Sequence, residues 1–283
     1  MIDINNVDWS QVWRERRATR TARTRDEQFW NERAPSFAKA ASETDFAAEF
    51  LAVMKPQPHW RVLDMACGGG TLALPLAGHV ESITAVDFSA RMLAILEEQC
   101  RERGIANIRT IRGRWEDNWD KLGIGPQDVA IASRALVSDD LRGSILKLDR
   151  IARERVYLVS TVGDGPYDRL MFEAIGRPLD SGPDYIYVYN LLYQMGIFAE
   201  ITFIRNPNNK TFADPDEALR SSLWMFGSLD RREEELLRSF LAKHLVCGGG
   251  RWSLAYPRMV RWAVISWLKK NLDLGEPGKD ENY

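Results

Sequence analysis

The chain has 283 residues and is 45% hydrophobic, enough to bury the core of one large domain with a smaller appended unit. Its 38 Lys and Arg against 40 Asp and Glu give no general attraction to nucleic acid or to anionic membranes. Cys67, Cys100 and Cys247 lie far apart, which argues against a disulfide framework and a zinc site. Without a long apolar run or a signal-peptide pattern, the sequence predicts a soluble, cytoplasmic protein that holds no metal.

The first 55 residues predict an N-terminal helical segment. Helices are expected at about 7–22, 26–40 and 45–54, and Pro56 and Pro58 end this segment. An arginine-rich stretch follows the first helix, but acidic residues interrupt it, so it reads as a solvated helix face.

A strand, a glycine loop and a helix start follow at 61–76. Apolar residues precede Asp64, and Ala66, Cys67, Gly68 and Gly70 are part of a run of small residues. Glycines let the backbone turn sharply and let a ligand approach closely. Such a loop suggests a nucleotide or nucleoside cofactor. A carboxylate at the mouth would repel a pyrophosphate, so Asp64 favours a ligand with a positive end.

An acid followed by three small residues two apart, here Asp64, Ala66, Gly68 and Gly70, resembles the first motif of the class I S-adenosylmethionine-dependent methyltransferases. Ala66 replaces the commoner glycine. The resemblance implies S-adenosyl-L-methionine as cofactor and S-adenosyl-L-homocysteine as product. It also implies that Cys67 lies within the cofactor loop.

The end of the second predicted strand adds a second acid. Asp87 should lie near the glycine loop, because the carboxyl ends of neighbouring parallel strands meet at one edge of a sheet. In the family an acid here receives the ribose hydroxyls, although NAD enzymes place one similarly. Phe88 and Met92 continue the resemblance, so all three residues are predicted to bind the cofactor.

The segment around Trp30 and Arg33 resembles the pre-core segment of small-molecule methyltransferases. In those relatives an aromatic residue and an arginine help to close over the cofactor. Trp30 and Phe37 could equally pack their helix on the core, and the two roles are compatible.

The exit of the third predicted strand departs from the family pattern. Arg114 occupies the position where relatives carry an acid for the adenine amino group. Trp115 and Glu116 are therefore predicted to contact adenine, as a wall and as an acceptor. The alternative is an acidic turn with Trp115 buried in the core.

The exit of the fourth predicted strand faces the methyl group in the resembling fold. Ser133 is predicted to contact the methionine part of the cofactor, and Arg134 to bind an anionic substrate or form a surface salt bridge. The Asn/Asp-Pro-Pro-Tyr motif of DNA-base and glutamine methyltransferases is missing from 133–136. Methylation of bases or peptide amides is therefore disfavoured.

Alternation of strands and helices predicts an α/β fold with both sheet faces covered. With the resemblance, the expectation is a Rossmann-like three-layer α/β/α sandwich with a mostly parallel seven-stranded sheet and an antiparallel last strand. The expected strands are 60–65, 82–86, 108–112, 128–133, 155–160, 199–204 and 259–267. The methyltransferase domain should span 56–270, followed by a polar tail at 271–283.

Two insertions, at about 163–196 and 206–250, are predicted to form a helical lid over the substrate. Tyr185, Tyr189 and Tyr193 are the best candidates for substrate walls. An extended run would place Tyr185, Tyr187 and Tyr189 on one side, whereas a helix would group Tyr185 with Tyr189 and Tyr193. Aromatic packing beneath a lid is the alternative role.

The function expected from the resemblance is direct in-line methyl transfer to a small-molecule acceptor, with no nucleic acid or membrane partner and no firmly assigned catalytic residue. Two other classes stay open: a sensor or scaffold that binds S-adenosylmethionine without transfer, and an NAD-dependent oxidoreductase, which Asp64 disfavours. RNA methylation is a more distant alternative.

Overall fold

The computed structural model describes residues 6–19, 26–42, 44–207 and 209–269. Its centre is a seven-stranded sheet in the order β3-β2-β1-β4-β5-β10-β6. The strands of that sheet are β1 (Arg61–Met65), β2 (Ser82–Asp87), β3 (Ile108–Arg112), β4 (Gln127–Ser133), β5 (Ala152–Thr161), β6 (Glu200–Pro207) and β10 (Met259–Leu268). Strand β10 pairs antiparallel to β5 and β6. The strands β1 to β5 pair with one another in parallel, as β3 with β2, β2 with β1, β1 with β4 and β4 with β5. The predicted mostly parallel sheet with an antiparallel last strand is confirmed.

Helices of the described residues cover both faces of this sheet or pack in a separate cluster outside it. They are α1 (Trp9–Thr19), α2 (Glu27–Ser42), α3 (Phe46–Met54), α4 (Ala73–Leu76), α5 (Ala90–Arg103), α6 (Leu141–Ile151), α7 (Arg169–Ala174), α8 (Tyr185–Gln194), α9 (Pro215–Ser222) and α10 (Arg231–His244). The helix that starts after the glycine loop is short, with one α-helical turn followed by a 3-10 turn at Ala77–His79. Residues 20–22 of the first predicted helix lie outside the described residues, as does the tail at 271–283.

Two apolar layers explain why the strands lack alternation. Val62 contributes to the layer beneath α3 and α5, whereas its neighbour Leu63 contributes to the layer beneath α6 and α8. Successive residues of a strand point to opposite faces of the sheet, and helices cover both faces, so both side chains are fully buried. Residues at the carboxyl ends of β1, β2 and β4 are therefore fixed at one rigid edge of the sheet.

A third apolar cluster lies outside the main sheet and was not predicted as a core of its own. Met171, Leu219 and Leu237, from α7, α9 and α10, pack together there. A small antiparallel sheet joins them, with strands β7 (Thr211–Phe212), β8 (Leu245–Gly248) and β9 (Arg251–Leu254) in the order β7-β9-β8. Residues 247–250 form the end of β8 and the turn into β9.

No helix within the described ranges is both long enough and apolar enough to cross a membrane.

Candidate functional site

The loop after β1 takes a conformation that favours small residues. Ala66, Gly68 and Gly70 have φ values of 57°, 56° and 88°. A Cβ added at Gly70 would lie 2.5 Å from Leu96 Cδ1, so the loop packs against α5 only because position 70 has no side chain. Ala66 adopts the left-handed region that glycine would occupy more easily. This departure from the family motif therefore strains the backbone but leaves the loop conformation unchanged.

Asp87, at the end of β2, fixes the loop to the next strand. Its two carboxylate oxygens accept hydrogen bonds from the backbone N–H groups of Gly68 and Ser89, each at 2.8 Å. The side chain is 5% exposed, and burial raises its pKa while these backbone N–H groups partly lower it. The neighbouring strand ends expected from the sequence do meet at this point.

Asp64, near the end of β1, is 2% exposed, and its Oδ2 has no hydrogen-bond partner among the residues that the structure describes. Burial, and after it the nearby charge of Asp87, raise the pKa of this carboxyl to about 7, while Arg134 opposes the shift. A buried carboxylate oxygen without a partner is costly, so it marks a place where a hydrogen-bond donor belongs. The Oγ of Ser133, at the end of β4, is also buried without a partner.

Arg134 follows β4 with a φ of 57° and donates its backbone N–H to Val159 O at 2.9 Å. Its guanidinium carbon lies 4.3 Å from the ring centroid of Phe46 and 5.3 Å from that of Trp262, and Phe37 is slightly farther away. Within the described part of the chain the guanidinium has no carboxylate within salt-bridge distance and no hydrogen bond. Burial lowers its pKa to about 10, so it stays charged at neutral pH.

These groups line one cavity of about 80 Å³ at the carboxyl edge of the sheet. Its walls are Trp30, Phe37, Asp64, Ala66, Cys67, Gly68, Thr71, Leu72, Asp87, Phe88, Met92, Ser133, Arg134, Ala135 and Val137. One side is apolar and aromatic, and the other carries the two buried acids and the guanidinium. Such a combination suits a ligand with a flat apolar part and a charged end.

Helix α2 forms the cover of this cavity through Trp30 and Phe37, whose rings meet edge to face at 5.6 Å. Asn31 anchors the helix by accepting a hydrogen bond of 2.6 Å from Ser89 Oγ, the hydroxyl that also caps α5. Glu27 forms ion pairs with Arg112, the last residue of β3, and with Arg114 just after it. The cover is therefore attached to the same strand ends as the loop.

Most of the residues predicted to bind the cofactor line this cavity, and four do not. Gly70 shapes the loop from behind, and the guanidinium of Arg33 lies over Trp224 at 4.7 Å. Trp115 is 6% exposed and donates its Nε1–H to Ala135 O, so it is buried behind a residue that lines the cavity. Glu116 is exposed and does not line the cavity. Contact of these two residues with adenine stays a prediction.

The tyrosine-rich run forms helix α8, so the helical alternative is correct. Tyr185 and Tyr189 pack against the apolar layer under α8, and Tyr185 meets Phe203 edge to face at 5.4 Å. Tyr193 is 51% exposed beside Phe198. None of these rings lines the cavity, so their role as substrate walls stays a prediction. A helix capped by Asp184 turns their side chains toward the sheet face and solvent.

Phe46 and Trp262 hold the guanidinium of Arg134, and sequence reasoning missed both. Their positions, at the start of α3 and within β10, give no motif-like signal. The antiparallel pairing of β10 with β5 puts Trp262 opposite Thr161, next to the end of β4. Only the sheet topology reveals that neighbourhood.

Known proteins are similar to the part of the chain that forms this cavity. A family model described as "Methyltransferase domain" matches residues 62–153, which include the loop and the ends of β1, β2 and β4. An uncharacterised protein of Haemophilus influenzae is 35% identical over 242 residues, covering 84% of this chain and 88% of the relative. A 23S rRNA (uracil(1939)-C(5))-methyltransferase of Pectobacterium carotovorum is 26% identical over 130 residues, but the match spans only 27% of that enzyme.

Solved structures share the fold at low sequence identity. A candidate methyltransferase of Bacillus halodurans superposes with a TM-score of 0.52 at 15% identity, covering 79% of this chain and 98% of the other. The YcgJ protein of Bacillus subtilis gives a TM-score of 0.50 at 15% identity, covering 80% and 98%.

Proposed function

The chain belongs to the class I S-adenosylmethionine-dependent methyltransferases, and from this premise we propose that it methylates a small-molecule acceptor with its cofactor bound in the cavity at the carboxyl edge of the sheet. When bound, the cofactor supplies an activated methyl group on a sulfonium. The remaining contribution comes from residues that bind, orient and exclude water.

Two opposite charges without partners in one cavity carry the proposal. Asp64 Oδ2 has no donor, and the Arg134 guanidinium has no acceptor in the described chain. An α-amino acid has the complementary pair, an ammonium and a carboxylate. We assign the ammonium of the cofactor's methionine end to Asp64 and its carboxylate to Arg134, with Ser133 Oγ as a further hydrogen-bond partner.

Arg134 therefore acts on the cofactor in this proposal and not on an anionic acceptor. The aromatic contacts with Phe46 and Trp262 support the assignment, because they hold the guanidinium in place without using its N–H donors. A pre-positioned guanidinium loses little conformational entropy when a carboxylate arrives.

The nucleoside end is assigned to the other half of the cavity. Asp87 keeps acceptor capacity on its carboxylate beyond the two backbone hydrogen bonds, which suits ribose hydroxyls. Phe88 and Met92 line the wall beside it and suit the adenine ring. The guanidinium of Arg114 lies 4.7 Å from the Phe88 ring centroid on the outside, which fixes that ring.

Binding requires the cover to move. The cavity volume of about 80 Å³ is well below the roughly 300 Å³ at which drug-sized ligand sites begin. Trp30 and Phe37 form the removable wall, since they belong to α2 and not to the sheet. We expect α2 to shift outward to admit the cofactor and then to close over it.

A small molecule suits this chain better than RNA. The formal net charge is -2, so the chain as a whole does not attract a phosphate backbone. Similarity to the rRNA methyltransferase spans about a quarter of that enzyme, which leaves most of its length without a counterpart here. Binding of a generic RNA at physiological salt would argue for the RNA alternative.

The test is a titration of S-adenosylhomocysteine into the wild type, Asp64→Asn and Arg134→Gln proteins. We expect one site per chain, with each variant weakened at least ~10-fold, as for the loss of a charge-assisted hydrogen bond. Asp120→Asn removes an exposed carboxylate and should bind as the wild type does. Equal affinity in all four proteins would refute the assigned contacts.

A further inference from the structure

A second cavity of about 360 Å³ lies at the same edge of the sheet and shares no lining residue with the first. It is bounded by the loop after β5 and by the segment that leads into β10. Its walls are Val162, Gly163, Asp164, Gly165, Tyr167, Asp168, Arg169, Leu170, Tyr256, Pro257, Arg258, Met259 and Arg261. Nothing in the assigned cofactor contacts uses these residues.

The acids of this cavity are already paired. Asp168 is 4% exposed, accepts a hydrogen bond of 2.8 Å from Tyr256 Oη and forms an ion pair of 3.0 Å with Arg258. The two carboxylate oxygens of Asp164 accept hydrogen bonds from Nε and Nη2 of Arg169. The opposite charges within each pair cancel, so Arg261 carries the net positive charge of the cavity wall.

Arg261 faces a second arginine. In the antiparallel pairing of β10 with β6 it lies directly opposite Arg205, so both side chains leave the same face of the sheet. Both are exposed, and within the described ranges neither has a hydrogen bond or an ion pair. Like charges directly opposite each other destabilise a strand pair, and an anion between them would remove that repulsion.

Apolar surface accompanies these charges. Met259, two residues before Arg261 and hence on the same face, is 51% exposed, and Leu170 across the cavity is 45% exposed. We propose that this cavity is a second ligand site for an organic oxyanion. Its carboxylate or phosphate binds Arg261 in the cavity wall and the strand neighbour Arg205 just outside that wall, and its apolar body rests on Met259 and Leu170. Planar guanidinium groups bind such oxyanions in a bidentate manner.

The probes are 2-naphthoate, 2-naphthyl phosphate and the uncharged 2-naphthamide, titrated calorimetrically into the full-length protein with saturating S-adenosylhomocysteine. The wild type should bind at least one anion ~10-fold more tightly than the amide. The two anionic probes distinguish a carboxylate site from a phosphate site. Arg205→Gln and Arg261→Gln should each weaken anion binding at least ~5-fold, and the double variant should abolish the preference for anions.

Arg232→Gln removes an exposed arginine of α10 and should leave every affinity unchanged. All four variants should keep their affinity for S-adenosylhomocysteine, which verifies their fold and separates this inference from the assignment of the cofactor site. Anion binding that persists in the double variant, or anions that bind no better than the amide, would overturn the proposal. Failure of the wild type to bind S-adenosylhomocysteine would overturn the cofactor assignment and leave the anion titrations interpretable.

Discussion

Asp64 and Arg134 extend from the carboxyl ends of the adjacent parallel strands β1 and β4 into one cavity, and each lacks the partner that its charge requires. Each influences the pKa of the other, yet they form no ion pair within 4.0 Å in the described chain. Two buried charges without partners are electrostatically unfavourable in the empty site, and a bound zwitterion would provide a partner for each.

Replacing Asp64 by Asn should weaken cofactor binding and stabilise the free protein. The ionised carboxylate is buried with a pKa near 7, whereas an unfolded chain gives it a value near 3.8. Its removal should therefore raise the free energy of unfolding at pH 8 by about 2–4 kcal/mol. Urea unfolding and calorimetric binding, measured on the same samples, check both halves. A variant that loses both stability and binding would indicate a structural role instead.

Affinity for S-adenosylhomocysteine should rise with pH around neutrality. With its pKa near 7, Asp64 is mostly protonated at pH 6 and mostly ionised at pH 8, and only the ionised form attracts an ammonium. The expected gain is about tenfold between these two pH values. Titrations at pH 7 in buffers of different ionisation enthalpy should detect the proton released on binding. Asp64→Asn should show a much flatter profile.

The stability of the free protein should depend on pH in the opposite direction. Since the folded pKa of Asp64 is raised, the folded state holds this proton more tightly than the unfolded state does. The contribution of Asp64 to stability is therefore complete below about pH 4 and is lost as the pH rises through about 7. The difference in unfolding free energy between Asp64→Asn and the wild type should accordingly grow from pH 4 to pH 8.

Arg134 should recognise the carboxylate of the cofactor. Arg134→Gln should weaken S-adenosylhomocysteine binding at least ~10-fold but leave binding of an analogue without the carboxylate nearly unchanged. Arg134→Lys should keep part of the affinity, because a charge is retained while the bidentate geometry is lost. Equal losses for both ligands would mean that Arg134 acts through the fold of the site.

Gly70 should tolerate no side chain, and Gly104 provides the matched control. Both have positive φ, 88° and 65°, but a Cβ at Gly104 would meet nothing within 4 Å, whereas one at Gly70 would overlap Leu96. Gly104→Ala should cost about 1 kcal/mol from backbone strain alone. Gly70→Ala should cost roughly 2–4 kcal/mol, because repacking against α5 is added. Urea denaturation of both variants tests the difference.

The sequence predicted the site residues best where acids and glycines directly follow predicted strands. Asp64, Gly68 and Asp87 could be placed together because strand ends of a parallel sheet meet at one edge, and the structure brings them into one cavity. The seven strands were predictable from short buried runs. Phe88 and Met92 followed from the resemblance and line the same cavity.

Other features depend on contacts between distant parts of the chain. Trp115 is buried and donates a hydrogen bond to Ala135, which lies beyond the next strand and could not be identified as its partner from the sequence. The tyrosine run satisfied both the helical and the extended pattern, and packing against the sheet chose the helix. The aromatic support of Arg134 needs β10 to return antiparallel beside β5, which no local pattern encodes.

Direct calorimetric titration of the wild-type protein with S-adenosylhomocysteine at pH 8, beside Asp87→Asn, is the measurement that tests the central claim most directly. The account predicts saturable binding of one ligand per chain in the wild type and a loss of at least ~10-fold when the carboxylate assigned to the ribose is neutralised. A wild-type protein that shows no saturable binding at millimolar ligand would contradict it.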